Sequence, residues 1–147
     1  RQGAKVNRLY PIDEVTESLR QEEGWSQTVY QCSEGHWTLG YGRNVDPHTG
    51  IGISREEGEL MLANDVRRTI EELENAFPQF GDLDQQRTAV LIELGFQLGT
   101  PTLRKFTNML AGLWAGDNDR AADELLDSRY ARQVPARARR YAERLQS

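Results

Sequence analysis

Cysteine is almost absent from this chain: Cys32 is the only one in 147 residues. That excludes an internal disulfide framework and a structural zinc site built from several thiolates. Histidine is nearly as scarce, with His36 and His48 alone and no His-Glu-x-x-His spacing, so no metal and no cofactor are expected. Long apolar runs are missing too. The longest, Ala89 to Leu98, is interrupted by Glu93 and Gln97 and falls well short of the roughly 20 residues of a membrane span. The start carries no signal-peptide pattern, and the chain begins at Arg1 rather than Met. Finally, there is no excess of positive charge. A net charge of -5 argues against nucleic acid as partner, since neutralising phosphates requires a clustered basic surface. One basic cluster, running from Arg129 and Arg132 through Arg137, Arg139 and Arg140 to Arg144, reads either as a solvated helical face or as a docking surface for an anionic polymer.

What is present suits a folded domain: 37% hydrophobic and 28% charged residues, in a length that fits one domain. Residues 1–10 read as an N-terminal extension and 11–147 as the domain itself. Ile12, Val15 and Leu19 have helical spacing after Pro11, and Gly24 ends that helix directly behind Glu23. Gln27–Cys32 and His36–Tyr41 are rich in Thr, Val, Tyr and Trp and flank Ser33-Glu34-Gly35, the pattern of a β-hairpin. Ser54 and Glu57 form a capping box that opens a helix continuing through Leu62, Val66, Ile70 and Leu73 to Phe77. Helices are also predicted for Asp84–Leu98, with a nearly all-apolar centre, and for Leu103–Trp114, Arg120–Leu126 and Ala136–Leu145. The fold class is therefore α+β. A small hairpin lobe (about 25–53) follows the first helix, a larger helical lobe (about 54–147) comes behind it, and a cleft is expected between them.

Three polar residues stand where helix one meets the hairpin: Glu23, Cys32 and Thr38. Taken singly, each has an ordinary explanation as a solvated acid, a small strand hydrophobe and a strand-forming Thr. Their spacing is more specific. Glu23, eight residues, Cys32, five residues and Thr38, set in Glu23-Gly24 and Trp37-Thr38-Leu39-Gly40-Tyr41-Gly42, resembles the active-site signature of the phage lysozymes, glycoside hydrolase family 24. The likeness extends through Ser54–Val66, Gly95-Phe96-Gln97-Leu98-Gly99, Phe106-Thr107-Asn108 and Ser128-Arg129-Tyr130 to Pro135 and Arg137, covering about residues 15–145 in order.

The resemblance implies a lysozyme-like fold and a muramidase, an enzyme hydrolysing the β-1,4 bond between N-acetylmuramic acid and N-acetylglucosamine in peptidoglycan and so lysing the cell. It implies Glu23, Cys32 and Thr38 as catalytic residues. Glycoside cleavage needs an acid for the leaving oxygen and a second group at the sugar centre, and of the three only Glu23 can be that acid. Most of the family carries Asp where this chain has Cys32, whereas a subset of phage endolysins carries Cys. Two routes stay open for that thiol: positioning and activating a water with Thr38, which inverts the sugar, or direct attack through a transient thioglycoside. The resemblance further implies Phe96, Gln97, Asn108 and Arg137 as substrate-binding residues. A satisfied amide is an equal reading for Gln97. An Arg43–Asp65 ion pair is expected to fasten the hairpin to the long helix.

Peptidoglycan is the expected partner of a monomer that reaches the wall from the periplasm, either after release from a host cytoplasm or delivered as a tail or effector domain. Two rivals are weighed. One is a lysozyme-like protein that binds glycan without turnover. The other is a cysteine hydrolase pairing Cys32 with His36 or His48, for which the chain supplies no third group or oxyanion hole.

Overall fold

The computed structural model describes residues 9–147, so the reading of residues 1–10 as an extension lies, for residues 1–8, outside the described residues. The elements run α1 (Ile12–Glu23), β1 (Ser26–Gln31), β2 (Trp37–Gly40), β3 (Arg43–Asn44), α2 (Arg55–Ala76), α3 (Gln85–Leu98), α4 (Thr100–Leu103), α5 (Thr107–Trp114), α6 (Asn118–Leu126), α7 (Arg129–Gln133) and α8 (Pro135–Gln146). A 3₁₀ turn, Phe80–Asp82, precedes α3. This is the predicted α+β class, lysozyme-like in its helices and small sheet. Backbone proximity groups the chain into two compact units, one ending at Gly58 and one comprising Glu59–Ser147.

In the first unit the strands form an antiparallel sheet in the order β1-β2-β3. Tyr30 pairs with Thr38 and Gln31 with Trp37, while Thr38 also faces Asn44 on β3. The short third strand, unpredicted from sequence, makes Thr38 the middle of the sheet. Thr38 is also the only described residue of this unit that is buried, at 5% exposure. A lobe of this size has no apolar core of its own, so hydrogen bonds and ion pairs, Arg43–Glu57 among them, hold its shape. The capping box is present as read: Glu57 N–H donates to Ser54 Oγ (3.1 Å) and Ser54 N–H to Glu57 Oε1 (2.8 Å).

The second unit holds the apolar core. Leu73 of α2, Val90, Leu91 and Leu94 of α3, Leu103, Met109, Leu113, Leu125 and Leu145 are all essentially inaccessible. The near-continuous apolar centre of α3 is thus the buried helix expected. The predicted helix Leu103–Trp114 is divided instead. Phe106 leaves helical geometry (φ -81°, ψ 55°) so that its ring can pack edge-on to Tyr130 at 6.4 Å between centroids, and α5 begins after it. Asp84, Asp117 and Ser128 cap α3, α6 and α7 by accepting backbone N–H groups, which is why those helices start where they do.

Arg87 supplies a long-range tie within this unit. Its buried guanidinium donates to Asp84 Oδ1 (3.0 Å), to the Leu145 carbonyl and to the Ser147 carbonyl (2.7 Å), satisfying open carbonyls at the end of α8.

Candidate active site

Glu23 is the last residue of α1, and Gly24 behind it takes φ +70°, a left-handed conformation that lets the chain turn from helix into β1. The carboxylate lies against the backbone of Gly42. A Cβ on Gly42 would stand 2.5 Å from Glu23 Oε2 and 2.8 Å from its Cδ, and Gly42 itself has φ +76°. Glycine is required there twice, by backbone conformation and by the close approach of the acid.

Cys32 follows β1 and is half-buried. Its N–H donates to the His36 carbonyl (2.9 Å) and its carbonyl accepts from Gly35 N–H (2.8 Å), which closes the hairpin turn. The backbone N–H of His36, then that of Glu34, hold the Cys32 thiol below the ordinary thiol range, and the Thr38 hydroxyl adds to them, against the opposing effects of partial burial and the Glu34 charge. Thr38 Oγ1 also donates to the His36 carbonyl at 3.0 Å. Cys32 and Thr38 therefore share one hydrogen-bonded turn. The turn delivers N–H dipoles to the sulfur, stabilising an anion where most of the resembled family has a carboxylate.

Neither histidine is arranged to serve Cys32 as a base. The His36 ring is taken up on both sides, Nδ1 with Thr49 Oγ1 (3.2 Å) and Nε2 toward Glu34 (3.9 Å). His48 is exposed, and its backbone N–H donates to Asp46. The geometry that a cysteine hydrolase requires is not assembled.

Arg43 and Asp65, expected to pair with each other, each have a partner within their own unit. Arg43 grips Glu57 with two parallel bonds (2.9 and 2.7 Å) and also donates to the Gly52 carbonyl at 3.1 Å. Asp65 pairs instead with Arg68 one helical turn on, at 2.8 Å. The reason is the turn-rich stretch before Ser54, which folds back so that the capping-box acid meets the guanidinium in a planar two-bond geometry, and a one-turn neighbour suffices for Asp65. Those contacts hold the Glu57 carboxyl at about 2, against an ordinary value of 4.5, with Arg43 the largest cause and the Ser54 N–H next. A depressed carboxyl stabilises the fold fully above its ordinary pKa, and the contribution fades as pH falls from 4.5 toward 2. Both side chains are about a third exposed, so the effect is screened and small at neutral pH. Glu57→Gln is expected to flatten the acid unfolding of the hairpin across that window, read by the dispersion of the Trp37 and Thr38 amide signals. A variant whose acid midpoint and slope match the parent would remove this pair from the account.

In the second unit Gln97 forms the hub of a polar network. Its Oε1 accepts from the Tyr130 hydroxyl (3.1 Å) and from Arg137 (3.4 Å), and its Nε2 donates to the Tyr141 hydroxyl (2.5 Å). Burial pushes the Tyr130 hydroxyl up, partly offset by Arg137, so Tyr130 stays a donor. Gln97 is thus largely a satisfied amide, with one N–H left over, and it brings Arg137 alongside. Asn108 is exposed on α5 and lines a cavity of about 530 Å³ together with Phe106, Lys105, Asp127, Arg129 and Tyr130. Phe96 is 44% exposed and does not line that cavity.

Comparison with known proteins follows the same outline. Residues 20–143 match the family model described as phage lysozyme. The chain belongs to the phage lysozyme family. It is 29% identical to an endolysin of Acyrthosiphon pisum secondary endosymbiont phage 1, over 74% of this chain and 72% of the endolysin. It is 25% identical to a probable T4-type lysozyme 2 of Dictyostelium discoideum, over 88% of this chain and 91% of that protein. Its likeness to the pre-baseplate central spike protein Gp5 of Enterobacteria phage T4 is 26% over 88% of this chain, which corresponds to only 27% of the spike protein's length.

Membership supports a lysozyme kind of enzyme, a glycoside hydrolase acting on peptidoglycan. No helix among the described residues is long and apolar enough to cross a membrane. Within this phage lysozyme domain, sequence reasoning missed Gly42 and Glu57 as residues that shape the site. Gly42 stands in the sequence only as the end of the resembled signature, and Glu57 only as a cap. The signal available for Glu57 was its place in the box, 14 residues after Arg43.

Proposed function

We propose that the chain is a muramidase that hydrolyses the β-1,4 bond from N-acetylmuramic acid to N-acetylglucosamine, and that this cleavage, reached from the periplasmic side, lyses the cell. The observation that carries the reading is the pairing of two unlike groups in one small unit. An acid at a helix end is seated on a glycine backbone, and a thiol turned toward its anion shares a turn with a buried Thr.

Glu23 protonates the leaving oxygen. The Cys32 sulfur, whose thiolate form the His36 and Glu34 N–H groups favour, accepts the proton of a water that the Thr38 hydroxyl orients, and that water attacks the anomeric carbon from the face opposite the departing sugar. The product is inverted. A single water needs only positioning, whereas a thioglycoside would need a second displacement to release the enzyme. Phe96, Gln97, Asn108 and Arg137 contribute to holding the strand, and the cavity beside Asn108 supports that role for α5.

The test is clearing of outer-membrane-stripped Gram-negative cells together with the anomer formed first from soluble glycan. Cys32→Asp is expected to stay active, because a carboxylate at that place can also accept the water's proton, and Cys32→Ala to lose about 10² to 10⁴ in rate. An α product supports the water route, and a β product would contradict it.

A further inference from the structure

We propose that the second unit carries a separate sugar-binding site, on the wall formed by the 3₁₀ turn, the start of α3 and the end of α5. A pocket of about 370 Å³ opens there, sharing no lining residue with the cavity beside Asn108 and containing none of the catalytic residues. Trp114, the last residue of α5, forms one side of it. The indole is half-buried and held from behind by the Phe77 ring, 5.7 Å away between centroids, so it is a fixed flat surface rather than a mobile one.

Around it stand Gln79, Asp82 and Asn118, all three with side chains that make no hydrogen bond or ion pair among the described residues. By contrast, Asp84 and Arg87 on the same wall are spent on each other, and Arg87 on the Leu145 and Ser147 carbonyls. The wall is therefore built and rigid, while the groups facing the opening are unused. Two amides and a carboxylate supply both donors and acceptors at the edge of an aromatic plane. That combination suits a saccharide, whose C–H face lies on an indole while its hydroxyl and acetamido groups bond sideways. An apolar ligand would strand the three polar groups, and a phosphate would meet Asp82. The choice of a peptidoglycan sugar as occupant rests on the function proposed above; the binding chemistry of the wall does not. Held there, a glycan strand would keep the enzyme on its polymeric substrate between cleavages.

The experiment is titration of the intact chain with soluble tetra-N-acetylglucosamine, followed at the three indole N–H signals, which Trp→Phe variants assign to Trp25, Trp37 and Trp114. A saturable shift of the Trp114 signal with weak, about millimolar affinity is expected. Asp82→Ala and Asn118→Ala, both at the surface, should each weaken it about tenfold with amide spectra otherwise unchanged. The same variants should slow clearing of whole peptidoglycan while leaving cleavage of short soluble glycan unchanged. A Trp114 signal that stays still, one that moves equally in both variants, or one that answers to choline and not to the oligosaccharide would overturn the proposal. Because binding is read apart from turnover, a loss of the muramidase reading would show in the reducing-sugar assay and leave the Trp114 titration to be judged on its own.

Discussion

Replacing Glu23 by Gln is expected to abolish measurable hydrolysis and to leave the fold intact. The substitution is nearly isosteric and removes only the transferable proton. The Glu23 side chain is solvent-exposed at the end of α1 and makes no hydrogen bond or ion pair among the described residues, so no such contact is lost with it. General acid catalysis of this kind is worth about 10² to 10⁴ in rate, and a poor sugar leaving group puts the loss at the upper end. The expected signature is an unchanged thermal midpoint, retained glycan binding and no new reducing ends. Retained turnover in Glu23→Gln would remove Glu23 from the chemistry.

The second large effect is expected at Gly42, a residue that performs no chemistry. An alanine there places Cβ within 2.5 Å of Glu23 Oε2, far inside contact distance. The obstructing atoms are the far end of a flexible side chain, so the acid swings away and the fold survives. The stability cost is mainly that of forcing a side chain at φ +76°, about 1–2 kcal/mol. The catalytic cost is larger, since a displacement of about 1 Å at a reacting group commonly takes 10²-fold from the rate. Gly52→Ala is the control, because Gly52 has φ +62° and nothing within 4 Å of its added Cβ. It should pay the same strain and keep its activity. Measuring kcat and the thermal midpoint for both variants separates the two effects: equal losses of kcat would mean that strain, not the acid's position, governs the rate.

Much of this site could be read before any coordinates, because its main features are local. The end of α1 is written in Glu23-Gly24, the start of α2 in Ser54 and Glu57, and the buried face of α3 in its apolar centre, since caps and periodicity act within a few residues. The spacing of Glu23, Cys32 and Thr38 pointed to the family that the comparisons then showed.

What stayed hidden depends on distant partners. The sequence of α2 offers Arg43 more than one acid, and only the folded turn from Asn44 to Gly52 brings Glu57 to it. The two-residue strand β3 has too little pattern to announce itself, yet it buries Thr38. The helix break at Phe106 follows from its ring packing on Tyr130, an element later in the chain. Gln97 gave no sign in sequence that it would be claimed by Tyr130, Tyr141 and Arg137. Trp114, Asp82 and Asn118 come from three elements and share no motif, so their meeting in one pocket is legible only after folding.

The central claim is that the glycan strand itself is cut, on one side of muramic acid, with Glu23 as the acid. Mass analysis of the fragments released from purified peptidoglycan by the parent chain and by Glu23→Gln tests it most directly. The account predicts fragments whose reducing end is N-acetylmuramic acid from the parent and none from the variant; free peptides, N-acetylglucosamine reducing ends, or equal release by both proteins would contradict it.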